Sequence, residues 1–174
     1  RITGNGGLKL GMADWGAAPS STIYGLKFET SATGKSYWRS YVNAATSHYH
    51  YEFGNTNGMV GNITSSGTAT GYNSVSDYRL KDNLKPFKAL DIVSNIKVYN
   101  FHWIGFDDKA NEHGVLAHEL QELIPEAVSG EKDKTKDDGS IDVQQVDYSR
   151  IIPHLIQSIQ DLKSEVDKLK KQIL

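Results

Sequence analysis

The 174-residue sequence contains no cysteine, no long apolar run and no excess of charge of one sign. Without cysteine, the chain can form neither disulfide bonds nor a thiolate metal site. No apolar stretch approaches the length of a membrane span and no signal peptide is visible, so we expect no membrane insertion. The formal net charge of −2 argues against nucleic acid as a main partner. Because the first residue is Arg1, we expect a piece of a longer protein.

Charge and glycine are distributed unevenly along the chain. Residues 1–75 carry eight charged side chains, whereas residues 76–174 carry 32. Glycine shows the opposite bias, since 12 of the 16 glycines precede Ser76. The apolar share of 38% is low for one compact globule, which indicates that part of the chain is elongated or oligomeric. The sequence therefore predicts two kinds of structure that meet near residue 75.

The first part, residues 1–75, is typical of β-structure with many turns. Short strands rich in small residues are expected at 59–63 and 68–70. Such strands bury too little apolar area to be stable alone, so we expect association between chains. A further strand is predicted over 47–53, with its aromatic residues on one face and its polar residues on the other: Tyr49, Tyr51 and Phe53 against His48, His50 and Glu52.

The second part, residues 76–174, combines helix and strand patterns, and the whole chain is therefore predicted to be α+β. Proline is tolerated in the first turn of a helix, which predicts a short helix opened by Pro86. The other expected elements are a strand over 97–104, a short buried strand over 114–117 and a helix over 118–123.

A heptad pattern fills the C-terminal segment and predicts a long helix that begins near Ser149 or Arg150. The mean apolar period of about 3.5 residues is typical of a left-handed coiled coil. The alternative is an amphipathic helix that packs on its own domain. β-Branched residues at a with leucine at d favour two strands in a parallel coil. The a positions are Ile152, Ile159, Val166 and Ile173, and the d positions are Leu155, Leu162 and Leu169.

Ser76 lies five residues before Lys81, at the point where the composition changes. A serine hydroxyl needs a base before it can attack a carbonyl, and a neutral lysine can be that base. A free lysine has a pKa of about 10.4, so burial or a nearby cation would have to favour the neutral form. A separation of five residues does not align two side chains on one helix face. We therefore expect a loop or turn that brings Lys81 back to Ser76.

Four strings in the second part resemble the self-cleaving intramolecular chaperone of phage tail fibres and tailspikes, the S74 peptidase family. The same domain occurs in phage endosialidases and in a eukaryotic membrane-tethered transcription factor. Residues 53–73 also look like the fibre end that usually precedes this domain. The resemblance covers all of 76–174, with the strings SDYRLKDN at 76–83, GVLAHELQE at 114–122, IPEAV at 124–128 and VDYS at 146–149.

The resemblance implies cleavage between Val75 and Ser76, with Ser76 as nucleophile and Lys81 as base. It also implies a homotrimer, which overrides the two-strand preference of the heptads. Residues 1–75 would be the trimeric β-rich fibre end, and 76–174 a small α/β chaperone body with the long C-terminal helix. The implied location is a virion tail fibre or tailspike, assembled in the host cytoplasm, with the chaperone released after cleavage. Small polar residues are common before the cleaved bond in this family, so Val75 is a departure that could slow attack.

Several residues around the junction are candidates for supporting roles. Arg79 is a candidate cation beside Lys81, although its planar fork could equally hold Asp77. Asn73 and Asn83 could donate to an oxyanion, or be simple turn residues.

Downstream, His118 could position the junction or a water molecule, with Glu119 orienting it. We favour a structural role for this pair, because Glu119 would complement the positive end of a helix dipole.

Two clusters in the first part have alternative interpretations. His48 and His50 share a strand face, and three chains around an axis would bring together enough imidazoles for an octahedral metal. We favour a polar strand face there and predict no cofactor. Tyr37, Trp38 and Tyr41 could stack on sugars, but we favour interface core because aromatic residues dominate buried interfaces.

The predicted function is thus a chaperone that trimerises and folds the upstream fibre of its own chain and then cuts itself off. The main alternative is a non-cleaving fibre tip that binds a host receptor or glycan through residues 1–75 and keeps a permanent trimerisation domain. A third possibility is a junction within a tethered transcription factor, but the glycine-rich β-structure upstream fits a fibre better.

Overall fold

The computed structural model describes residues 9–10, 25–30, 36–42, 45–105 and 111–173. The chain divides into two compact units, residues 1–83 and 84–174. Strands dominate the first unit and helices the second, which confirms the predicted α+β class. In the described part of the chain, no helix is both long enough and apolar enough to cross a membrane. The domain boundary predicted between residues 75 and 76 is the expected cleavage point, and it lies inside the first unit. This boundary stays a prediction.

In the described part of the first unit, the strands form two antiparallel three-stranded sheets in sequential order. A two-residue turn joins β4 (His48–Asn55) to β5 (Gly58–Ser66). Gly58 follows this turn with a positive φ of 94°, which favours glycine. This arrangement confirms the strands expected around 47–53, 59–63 and 68–70. The strands are β1 Lys9–Leu10, β2 Gly25–Thr30, β3 Ser36–Tyr41, β4 His48–Asn55, β5 Gly58–Ser66 and β6 Ala69–Ser74.

A β-bulge at His50 interrupts the predicted alternation of β4. Tyr49 pairs with Thr64, whereas Tyr51 pairs with Ile63, so two positions on β4 advance the register by only one on β5. Because Thr64 and Ile63 are consecutive, Tyr49 and Tyr51 lie on opposite faces of the sheet. The prediction that both share one face is therefore wrong, since an extra residue in a strand reverses the alternation beyond it.

The second unit is built around a small core on which helices and short strand pairs pack. Leu120 and Ile124 are fully buried, and Ala127 and Ile151 complete the cluster. A 3-10 turn, Tyr148–Ile151, leads directly into the C-terminal helix. The elements are α1 Leu90–Ser94, β7 Tyr99–Phe101, β8 Glu112–Gly114, α2 Ala117–Leu123, β9 Val128–Ser129, β10 Gln145–Val146 and α3 Ile152–Ile173.

Several boundaries differ from the sequence prediction. The helix expected from Pro86 begins only at Leu90, because the carboxylate of Asp161 accepts the backbone N–H groups of Ala89 and Leu90 and fixes the start there. The strand expected over 114–117 ends at Gly114. Helical bonding already begins at the carbonyl of Leu116, which accepts two N–H groups of α2.

The strand expected over 97–104 is limited to β7. The predicted helix over 118–123 is confirmed as α2, which ends before Pro125.

The predicted C-terminal helix is present as α3, with Pro153 in its first turn. It begins at Ile152, not near Ser149 or Arg150, because those two residues belong to the preceding 3-10 turn. It packs on its own unit through a face that includes Ser158 and Asp161, which are 6% and 5% exposed. The heptad residues form a different face, whose exposed fractions range from 38% at Val166 to 84% at Ile173. The stripe is therefore not the surface through which α3 packs on its own unit, and the coiled coil stays a prediction.

Candidate active site at a strand–turn junction

The candidate site begins where the β5–β6 ladder ends. The paired residues run from Ser66 and Ala69 to Gly61 and Ser74. One further backbone bond follows, in which the Val75 N–H donates to the Val60 carbonyl at 3.1 Å. Ladder hydrogen bonding thus reaches the residue on the acyl side of the predicted cleavage point.

A 3-10 turn, Tyr78–Leu80, follows Ser76 and Asp77. Asp77 caps it, since Oδ1 of Asp77 accepts the Arg79 N–H at 2.9 Å. Aspartate is a preferred cap because its side-chain oxygen satisfies an N–H that has no partner within the turn. The turn closes when the Lys81 N–H donates to the Tyr78 carbonyl at 3.1 Å.

The turn brings the two candidate catalytic side chains together. Nζ of Lys81 donates a hydrogen bond to Oγ of Ser76 at 2.6 Å. This is the folded-back geometry that the five-residue spacing predicts, and it lies within the reach required of a nucleophile and its base. Both residues are exposed, so water can reach the pair. The catalytic role of Ser76 and Lys81 remains a prediction.

Arg79 is engaged with Asp77 rather than directed at Lys81. Its Nε donates to Oδ1 of Asp77 at 3.0 Å, and one terminal nitrogen donates to Oδ2 at 2.7 Å. This bidentate pair, with the Arg79 backbone N–H, holds the pKa of Asp77 below its ordinary value. The same carboxylate raises the pKa of Arg79. The sequence left open whether Arg79 lies beside Lys81 as a cation or holds Asp77. The geometry favours the second role, in which the guanidinium of Arg79 stabilises the turn through Asp77.

The two asparagine candidates have different surroundings. Asn73 lies in β6, not in a turn, and its Nδ2 donates to Oδ1 of Asn62 at 2.8 Å and to Oγ1 of Thr64 at 3.1 Å. Asn83 has a left-handed backbone with φ of 54°, and its N–H donates to Oδ1 of Asp82 at 2.6 Å. Sequence reasoning missed Asn62, because the residue faces Asn73 only once the strand register is known. The oxyanion roles of Asn73 and Asn83 stay predictions.

His118 and Glu119 lie in the second unit, in the first turn of α2. The carboxylate of Glu119 accepts hydrogen bonds from Nζ of Lys97 at 2.9 Å and from the Tyr99 hydroxyl at 2.8 Å. These two donors hold the pKa of Glu119 below its ordinary value. His118 is half-buried. The carboxylate oxygens thus tie α2 to Lys97 and β7, which fits the structural role that the sequence favoured for this pair.

The histidines of β4 are engaged with neighbouring hydroxyl groups. The ring nitrogens of His50 lie 2.7 Å from Oγ of Ser40 and 2.7 Å from Oγ of Ser65. Nε2 of His48 lies 3.2 Å from Oγ1 of Thr46. Within the described residues, no group of three or more metal-ligating side chains comes together. A metal shared between chains by His48 and His50 stays the untested alternative to a polar strand face.

The side chains of the third aromatic cluster, Tyr37, Trp38 and Tyr41, lie outside the described part of the structure. Its predicted role as interface core, or alternatively as a sugar-stacking surface, is therefore unchanged.

Two comparisons with known proteins found similar sequences. Residues 76–129 match the model of the S74 peptidase family, described as the chaperone of endosialidase. The long tail fiber protein Gp37 of Enterobacteria phage M1 is 37% identical over 101 residues, which cover 55% of this chain and 38% of that protein. Gp37 of phage Ox2 gives the same values. Gp37 of phage K3 is 31% identical over 103 residues, 57% of this chain but 8% of that protein.

The chain thus matches 38% of the length of the first curated relatives. No solved structure matches it.

These findings define the class of protein first: an α+β chain that is similar to phage tail fibre proteins. The particular family comes from the matched segment, because residues 76–129 are similar to the endosialidase-chaperone family, S74. The resemblance found in the sequence is confirmed. The family match begins at Ser76, the first residue of the predicted chaperone.

Proposed function

We propose that this chain is the C-terminal end of a phage tail fibre or tailspike, joined to a chaperone that aligns three chains and then cuts itself off. One observation carries the proposal: Ser76, the residue at which the family match begins, lies 2.6 Å from the amine of Lys81. The tail fibre relatives support a role in fibre assembly and a place in the virion tail fibre. Residues 76–174 would be the released part.

The proposed reaction is an N-to-O acyl shift followed by hydrolysis. Lys81, in its neutral form, takes the Ser76 hydroxyl proton while Oγ attacks the Val75 carbonyl carbon. The C–N bond then breaks, and the proton passes to the departing Ser76 amine. Water hydrolyses the resulting ester, which leaves a Val75 carboxylate and a Ser76 N-terminus. The covalent chain itself supplies the proximity that a separate substrate would need.

Trimerisation is the second part of the proposal. The exposed heptad face of α3 supplies an apolar stripe that three copies would bury together. Aligned chains pay less closure entropy when their β-strands pair, which matters because non-local pairing is slow. After cleavage the unfolding route through the chaperone is lost, so the fibre would be kinetically trapped.

A non-cleaving fibre tip that binds a host receptor or glycan is the second candidate. Large aromatic residues on one face of the second sheet favour it, since Phe53 and Tyr72 are 52% and 79% exposed. Exposed aromatic clusters are typical of binding surfaces as well as of subunit interfaces. This candidate predicts that the chain stays intact when Ser76 is present.

The test is the intact mass of the purified chain beside Ser76→Ala, Lys81→Ala and the control Lys85→Ala, which removes a nearby exposed lysine outside the site. We expect fragments that meet at Val75 and Ser76 in the wild type and the control, and full-length chains in the two site variants. A wild-type chain that stays whole while trimeric and folded would remove the peptidase and leave the fibre tip.

A further inference from the structure

We infer that Gly61 and the Asn62–Asn73 pair, by holding β6 on β5, position the Val75–Ser76 bond for attack by Ser76. The inference rests on the proposed self-cleavage. Gly61 and the Asn62–Asn73 pair are then positioning residues for the reaction. The side-chain bonds of the pair are made on the sheet, whereas the catalytic pair is Ser76 with Lys81.

Two separate elements supply the two halves of the site. The capped turn places Ser76 and Lys81 together, and all of its bonds lie within residues 76–81. The carbonyl under attack belongs to Val75, whose N–H is bonded to the Val60 carbonyl at 3.1 Å. Without that bond the acyl side of the junction would rotate freely while the dyad stayed in place. Reaction needs both, because a misplacement of about 1 Å can cost about a hundredfold in rate.

Gly61 permits the close approach of the strands at the last paired rung. It is buried, and a Cβ at this position would lie 2.7 Å from the backbone oxygen of Asn73. Real Cβ atoms essentially never come so close to a backbone atom, so any side chain here must push β6 away from β5. The displaced segment leads directly into Val75, one residue beyond Ser74, the partner of Gly61.

The Asn62–Asn73 pair holds the neighbouring rung of the same ladder. Nδ2 of Asn73 bridges Oδ1 of Asn62 and Oγ1 of Thr64, and both partners lie on β5. Side-chain pairs between directly opposite residues stabilise the pairing of two strands. In this geometry Asn73 uses its amide to hold β6, not to donate to the Val75 carbonyl.

The test measures the rate of self-cleavage by pulse-labelled cell-free synthesis, followed by intact mass of the products. The variants are Gly61→Ala, Asn62→Ala, Asn73→Ala and the double Asn variant, each also made with Ser76→Ala to check folding by circular dichroism. Gly54→Ala is the matched control, because its Cβ would meet its nearest backbone atom at an ordinary 3.4 Å.

We expect Gly61→Ala to cleave at least about tenfold more slowly, since it displaces the carbonyl, and Gly54→Ala to cleave like the wild type. Asn62→Ala should slow cleavage, and Asn73→Ala should slow it at least as much because it also loses the bond to Thr64. The double variant should be no slower than Asn73→Ala, since the Asn62–Asn73 bond is already lost in each single variant. The pH dependence of the rate should keep its shape, since the dyad is untouched.

Three outcomes would overturn the inference and leave the peptidase standing: wild-type rates in folded Gly61→Ala, wild-type rates in Asn62→Ala, or slow cleavage in Asn73→Ala alone. The last would return Asn73 to the oxyanion role. If Gly61→Ala fails to fold, the Asn variants decide the matter. A wild-type chain that never cleaves would remove the proposed function and this inference together.

Discussion

At the scale of single residues, Asp77 is the side chain on which the candidate dyad geometry depends most. It caps the turn and receives the Arg79 fork, and the turn in turn places Lys81 beside Ser76. We predict that Asp77→Ala slows self-cleavage several-fold, whereas Asp77→Asn retains most of the rate because an amide oxygen still caps. Time courses of the cleaved fraction would decide this, and equal rates in all three chains would contradict a positioning role for the cap.

The sequence predicted this site unevenly. The five-residue spacing excluded a helix face and indicated a turn between Ser76 and Lys81, which the structure contains. It left open whether Arg79 assists the lysine or holds Asp77, because both uses require only proximity. The Asn62–Asn73 contact could not be predicted from the sequence. The two residues are eleven positions apart, and they face each other only because of the register in which β5 and β6 pair.

At the scale of secondary-structure elements, Asp161 joins α3 to the start of α1. Its carboxylate is 5% exposed and accepts hydrogen bonds from the backbone of Ala89 at 2.8 Å and Leu90 at 3.3 Å, and from Lys88 at 3.0 Å. We predict that Asp161→Ala lowers the melting temperature clearly, because buried N–H groups lose their acceptor. Asp167→Ala is the control on the same helix, where Asp167 forms an exposed ion pair with Lys163. Equal melting temperatures for the two variants would contradict the clamp.

The same carboxylate predicts how stability responds to acid. The Ala89 N–H and the other donors hold the pKa of Asp161 well below its ordinary value, so the folded state favours the charged form. The contribution to stability is therefore complete above the unfolded pKa of about 3.9 and is lost as the pH falls below it. Thermal melting as a function of pH should fall less steeply in acid for Asp161→Asn than for the wild type. Parallel curves would show that other groups control acid unfolding.

Contacts between segments that are distant in sequence explain why some predicted boundaries and strand faces were wrong. The start of α1 was placed four residues early because its cap comes from Asp161, which is 72 residues away from Ala89. The face of β4 was misread because a bulge at His50 leaves no mark in the alternation of residue types. By contrast, α3 was predicted closely, since its heptads and Pro153 are local signals.

At the scale of the whole molecule, the exposed stripe of α3 predicts how the chain assembles. Ile159 and Leu162 are 67% and 51% exposed, and a single chain leaves this apolar surface in water. We predict that Ser76→Ala, which keeps the chain whole, has three times the 19.3 kDa chain mass by light scattering. Adding Ile159→Asn and Leu162→Asn should release smaller species, because polar residues at a and d positions weaken a coiled coil.

Gln160→Asn is the matched control for assembly, since this exposed residue is next to Ile159 but occupies neither an a nor a d position. If the control stays trimeric while the double variant dissociates, the stripe is the surface that holds the chains together. A dimer in the parent chain would instead follow the two-strand preference of β-branched a positions with leucine at d. Trimers in both variants would contradict this role of the stripe, and the contacts between chains would then have to come from another part of the chain.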